Sequence, residues 1–303
     1  MRYTYILATG LLALMAGCGG GQPEIDAAAH EAAVLEWRAG RLERLKSPTG
    51  YLNLAGLFWL APGGNSFGSA PDNDFVFPDG APANMGEFVL SDDGVFLNVA
   101  DGVEIYWDDT PISSARLEPD TSDNPMLLRH GSLAWMVIER AGQFGVRLRD
   151  YEHPAVESFP PIESFPIDAS YRVEAKLRPY DEPRIMNVKT VIEGLGYHPQ
   201  SPGTVEFQVA GRKYDLEAYE SGDELFFVFG DQTSGKETYP AGRFLYADKP
   251  GDDGKTVLDF NRAYNPPCAF NDFATCPVAS PRNRLAVRIE AGEKYDAKVF
   301  GAH

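Results

Sequence analysis

The chain has 303 residues, with 44 acidic against 27 basic side chains, a formal net charge of −17 at pH 7 and 44% hydrophobic residues. That length suits one large or two moderate domains, each able to bury a core. The acidic balance, with no basic cluster along the sequence to offset it, repels phosphate backbones, so nucleic acid is not an expected partner.

The first residues read as an export signal, residues 1–17. Arg2 supplies the positive start, and Ile6 to Ala16 form an apolar run too short to span a bilayer as a mature helix. Met15-Ala16-Gly17-Cys18 resembles a bacterial lipobox, which makes Cys18 the expected lipidated residue. An ordinary cleaved signal followed by a stray cysteine is the alternative. Residues 18–23 are a Gly-rich tether. Gly19 after the cysteine resembles the pattern of lipoproteins passed to the outer membrane. The expectation is therefore a protein of the bacterial cell envelope, facing the periplasm, that meets the membrane through its lipid alone.

Residues 24–48 carry a helical pattern, with Val34, Trp37, Leu42 and Leu45 forming an apolar stripe that Pro48 and Gly50 end. Beyond it the texture is that of an all-β chain: short alternating runs cut by Gly, Pro, Asn and Asp. The division predicted is a β-sandwich over 49–152, a Pro-rich linker over 153–170 and a second β-domain or barrel over 171–303. Leu133 to Ile138 and Leu225 to Phe229 are apolar throughout and predict strands buried on both faces. Alternation predicts one-sided strands at Tyr171–Arg178, Val205–Val209 and Leu285–Glu290. Gly194 to Gly203 reads as an exposed loop.

Several motifs fail on their details. Gly230-Asp231-Gln232-Thr233-Ser234-Gly235-Lys236 has P-loop spacing, but Glu237 stands where a magnesium-binding Ser or Thr belongs and Pro240 blocks the following helix. It reads as a polar turn, and no nucleotide or other cofactor is expected. No Gly-x-Ser-x-Gly elbow occurs; His153 and His198 precede prolines, and His130 leads into a turn. Metal-ligand spacings are absent, so no metal is expected.

The densest concentration of polar chemistry lies near the C-terminal end. Asp259-Phe260-Asn261-Arg262-Ala263-Tyr264-Asn265-Pro266-Pro267-Cys268-Ala269-Phe270 is followed by Cys276-Pro277 and Asn283-Arg284-Leu285. Asn265-Pro266-Pro267 forces an extended, rigid corner, with a cis peptide as one option. Tyr239, Arg243, Tyr264 and Asn283 are the donors expected to converge there, Arg243 pairing with Asp259. Three readings stay open. In the first, Arg243, Asn261, Tyr264, Asn265, Tyr239 and Asn283 line a pocket for a small polar or anionic ligand. In the second, Asp231 or Asp259 is the general base of a hydrolase whose Arg and Asn side chains stabilise negative charge. In the third, the same groups satisfy the backbone of a structural corner. Cys268 and Cys276 are expected to form a disulfide in an oxidising compartment, with two reduced thiols as the alternative.

Two family resemblances add to this. Phe67-Gly68-Ser69, Asn73 to Pro78, Gly86-Glu87-Phe88 and Gly94 to Leu97 look like the early strands of a forkhead-associated sandwich. Ser69 stands where that family has its phosphate-binding arginine, so the resemblance implies a fold and not phosphopeptide binding. From Trp37 to about Tyr295 the chain resembles the bacterial family called domain of unknown function 1684. The residues that carry the likeness include Gly50-Tyr51-Leu52, Gly145 to Asp150, Phe229 to Thr233, Tyr239 to Leu245 and the 259–270 run. That resemblance implies a mostly β, commonly exported chain. It implies no substrate and no catalytic residue.

Overall fold

The computed structural model describes residues 26–301. The signal, Cys18 and the tether lie outside the described residues. The chain is mostly β, with several sheets and one long helix at the start.

The first half is a two-sheet sandwich. One sheet orders its strands as Leu54–Trp59, Gln143–Asp150, Leu133–Arg140, Leu128–His130, Ile105–Trp107 and Thr110–Ile112. The other holds Phe75–Val76, Gly63–Gly68, Gly86–Ser91, Gly94–Val99 and Ser114–Leu117. Inward residues of both sheets meet in one aromatic core, where Phe67 lies 4.4 Å from Phe88 and 6.0 Å from Trp135 between ring centroids. The run from Leu133 is buried along nearly its whole length, as its composition predicts.

The second half is a six-stranded antiparallel sheet ordered Arg243–Asp248, Glu224–Phe229, Arg212–Ser221, Gln200–Val209, Arg172–Ile185 and Lys255–Asp259. Its two outer strands approach each other, giving a near-barrel. Val173, Ala175, Val205 and Phe207 point into it while Glu174, Lys176, Glu206 and Gln208 face water, so the period of two is realised. Leu225 to Phe229 is buried on both faces because a second cluster, including Tyr219, Phe226 and Phe244, covers its outer side.

Four local expectations are corrected. Residues 285–290 form no strand; Val287 O accepts from Gln232 N, and Ile289 O is met by a side chain, described below. Gln200 to Gly203 belongs to a strand, and Ser201 is fully buried rather than in an exposed loop. The 153–170 segment is no free linker: Pro154–Ser158 is a short helix, and Phe165 N donates to Gly292 O at 2.9 Å. The helix α1, Ala27–Lys46, is capped by Asp26, which accepts from Ala28 N and Ala29 N. Its buried stripe is His30, Val34, Arg41 and Leu45, whereas Leu42 is exposed. Two polar residues enter the stripe because α1 docks on charged groups of the second half.

Candidate functional site

The strands Glu224–Phe229 and Arg243–Asp248 pair with Phe229 opposite Arg243, which carries Arg243 to the end of the near-barrel. Its guanidinium is 1% exposed. It donates from Nη2 to Asp231 Oδ2 at 2.8 Å and to Ile289 O at 3.0 Å, and from Nη1 to Ala291 O and Glu293 O. One side chain thus holds three carbonyls of the 289–293 segment, Ile289 O, Ala291 O and Glu293 O. Burial pulls the Arg243 pKa down, and the Asp231 charge opposes that pull. Asp231 also accepts from Thr233 N at 2.6 Å and from the Thr233 hydroxyl. The expected Arg243–Asp259 pair is not formed. Asp259 instead lies 2.8 Å from His30 Nε2 of α1 and 3.7 Å from Arg262 Nε.

The asparagines act as inserted peptide groups. Asn261 accepts from Asp168 N at 3.0 Å and donates to Asp168 O at 2.9 Å. Asn283 accepts from Glu217 N at 2.8 Å and donates to Glu217 O and Val228 O. Asn265 donates to Lys294 O at 2.8 Å, while its own N–H goes to Glu293 Oε2 at 2.7 Å. All three are fully buried. Gly292 is required here: its φ is +80°, and a Cβ would lie 2.4 Å from Ala263 O. Tyr239 is buried too and donates to Cys268 O at 3.2 Å. Pro266 is extended, but Pro267 opens a short 3-10 turn, Pro267–Ala269, rather than continuing an extended corner, and no cis peptide occurs among the described residues.

Cys268 and Cys276 are buried free thiols rather than the expected disulfide. They are neighbours all the same: Cys268 N donates to Cys276 Sγ at 3.2 Å. The hydrogen bond from Cys276 lowers the Cys268 thiol pKa, and burial raises that of Cys276.

The predicted residues therefore come together, but mostly in a sealed corner. Asp231 has a fully buried carboxylate in an ion pair, so it has no water to activate. Of the predicted residues, Tyr264 lines an opening. Its ring lies 5.9 Å from Trp37 and 6.4 Å from Tyr246, nearly parallel to the latter, and Arg41 stacks over it at 4.4 Å. Burial lifts the Tyr264 phenol well above its ordinary pKa. These rings wall a cleft of about 550 Å³ between α1 and the second-half sheet, with Tyr51, Arg44 and Glu224 also lining it. Arg41 is committed: it lies 3.3 Å from Glu293 Oε1 and donates to Asn265 O at 2.8 Å. Burial raises the Glu293 pKa and Arg41 draws it back. Arg44 and Glu224 are exposed and make no ion pair among the described residues.

Sequence reasoning missed the part played by α1. The signal was present: His30 and Arg41 lie on the same helical face as Val34 and Leu45, spaced 4, 7 and 4 residues apart. Ionisable groups in an apolar stripe require buried partners of opposite charge. Asp259 and Glu293 supply them.

Residues 157–294 match the family described as protein of unknown function (DUF1684), which bears out the resemblance over the second half of the chain. Among solved structures, the chain is similar to an uncharacterized protein of Haloarcula marismortui determined by solution NMR. The two are 29% identical, the match covers 47% of this chain and 80% of that one, and the TM-score is 0.40. The curated proteins contain no match.

Proposed function

We propose that this protein binds a small polar, ring-bearing ligand in the cleft between α1 and the second-half sheet. The observation that carries the reading is an opening of about 550 Å³ walled by Trp37, Tyr51, Tyr246 and Tyr264, with uncommitted Arg44 and Glu224 also on its lining. Aromatic faces of that kind give a ring a low-entropy platform, while a guanidinium fixes an anionic group and a carboxylate accepts a donor. The sealed corner beneath it acts as the frame that fixes Tyr264. The hydrolase alternative is less well supported, because Asp231 and Asp259 are both spent in ion pairs.

The test is a thermal-shift screen of the chain lacking residues 1–22 against ring-bearing polar metabolites, including zwitterions. Genuine ligands should change the fluorescence of Trp37, and Tyr246→Ala or Arg44→Ala should weaken them tenfold or more. Ligands indifferent to both substitutions, or none in the panel, would refute the cleft.

The envelope reading rests on Arg2, the Ile6–Ala16 run and Cys18. The protein is proposed to be lipid-anchored there. Cys18→Ser should move it from the membrane to the soluble fraction; a native chain already in the soluble fraction would count against the anchor.

A further inference from the structure

The structure assigns a second binding site, for a small oxyanion of two or more charges, to a cavity on the other side of the polar corner. It has a volume of about 770 Å³ and lies between the 160–163 segment, the Gly235–Pro240 turn and the 294–300 segment. Its distinguishing feature is its cations. The sequence contains nine lysines, and Lys236, Lys294 and Lys298 all line this cavity. Chain separation hides them in the sequence; folding concentrates a third of the lysines of a strongly acidic chain on one hollow.

These ammonium groups are not accounted for by ion pairs. Among the described residues, the one lysine within 4 Å of a carboxylate is Lys255, beside Glu174 at 2.9 Å. Of the carboxylates on the cavity wall, Glu237 is taken by Arg288, and Asp296 accepts the backbone N–H of Lys298 at 2.8 Å. Glu163 remains, exposed at the edge. Lys294 Nζ lies 4.9 Å from the Phe165 ring centroid, a cation–π contact that leaves its protons free for an anion. An anion seated among the three ammonium groups gains their attraction, which a concave wall strengthens.

The backbone of the Gly235–Thr238 turn plays no part in this recognition. Gly235 N donates to Thr238 O, and the N–H groups of Lys236, Glu237 and Thr238 all close on Thr233 O. The run with P-loop spacing thus spends its amides on its own turn and offers only the Lys236 side chain. The rest of the wall is apolar, with Pro160, Pro240, Tyr295 and Phe300. That composition suits a phosphate ester or polycarboxylate with a compact hydrocarbon body, and it excludes long polyanions, which the net charge repels.

The experiment is calorimetric titration at constant ionic strength with two probes, inorganic pyrophosphate and citrate, which separate phosphate from carboxylate chemistry. Saturable binding of either probe at one site is expected. Lys236→Gln and Lys298→Gln, both at exposed positions, should each weaken it three- to tenfold, and the pair more than tenfold. Tyr246→Ala, in the aromatic cleft, should leave it unchanged. Absence of saturable binding by both probes, or binding indifferent to the lysine substitutions, would overturn the assignment without touching the cleft.

Discussion

Replacing Arg243 separates a frame from a binding pocket more sharply than any other change. Arg243→Met leaves the Asp231 carboxylate buried without its cation and takes donors from three carbonyls. Deleting one partner of a buried ion pair costs about 3–5 kcal/mol. Each carbonyl bond adds on the order of 1 kcal/mol, less than additively because the 289–293 segment can relax. A loss of at least about 4 kcal/mol is therefore expected, a large part of the ordinary stability of a domain. Arg243→Lys keeps the charge, but one ammonium cannot reach both Asp231 and the carbonyls, so a loss of about 2 kcal/mol follows. Adding Asp231→Asn to Arg243→Met removes the stranded charge while keeping the acceptor for Thr233, and should recover about 2 kcal/mol. Urea unfolding reports this through Trp37, which packs on Tyr264, and through Trp135, in the core of the sandwich. The transition seen at Trp37 should move first. If Arg243→Met unfolds within about 1 kcal/mol of the parent, the corner does not hold the fold together and the reasoning fails.

Other consequences follow from the same geometry. Arg41→Ala strands Glu293, so amide exchange along α1 should accelerate while the sandwich stays protected; His30→Ala should do less, because Asp259 keeps Arg262 and the Asn261 side-chain amide. Equal effects of the two substitutions would contradict the arrangement. Glu293 has a raised pKa in the fold, so the folded chain holds its proton more tightly than the unfolded chain does. Its contribution to stability is then full below the unfolded carboxyl pKa and is lost as pH rises through the folded value. The stability of the native chain relative to Glu293→Gln should accordingly improve on acidification, and a flat difference would refute the assignment. Mild oxidation should join Cys268 and Cys276 within one chain, detectable by peptide mapping, with unchanged circular dichroism and a gain of about 2–3 kcal/mol. Mixed disulfides with added thiols in place of that bond would show the pair to be out of reach.

Elements whose burial is local were legible in the sequence. The apolar runs at Leu133 and Leu225 and the alternation at Val173 and Val205 each encode their own environment, and all four lie in strands, two of which run longer than the alternation. Residues 285–290 show where this breaks down. Leu285, Val287 and Ile289 alternate like a strand, and Leu285 and Ile289 are buried, yet Ile289 O accepts from a guanidinium 46 residues earlier, while Leu285 N and Val287 O bond singly to Gly230 O and Gln232 N without forming a strand. Periodicity records which side chains turn inward and is silent on what satisfies the backbone. Partner choice was illegible for the same reason: Arg243 had Asp231 and Asp259 equally available by composition, and only the register of the Phe229–Arg243 pair selects the first.

The candidate site shows the same division between composition and placement. The amides of Asn261, Asn265 and Asn283 identified the corner correctly as unusual, because so many polar side chains in one run need a physical reason. What they supply is substitute peptide bonding across Asp168, Lys294 and Glu217. A frame of that kind has neighbours it holds still. Tyr264 follows Asn261 by three residues and faces the aromatic cleft, while Lys294 follows Glu293 and lines the cationic cavity. The bond from Asn265 to Lys294 O joins the two walls directly. Rigidity in the corner thus fixes both recesses at once, and a ligand that orders one should raise the protection of the Asn265 and Lys294 amides seen from the other.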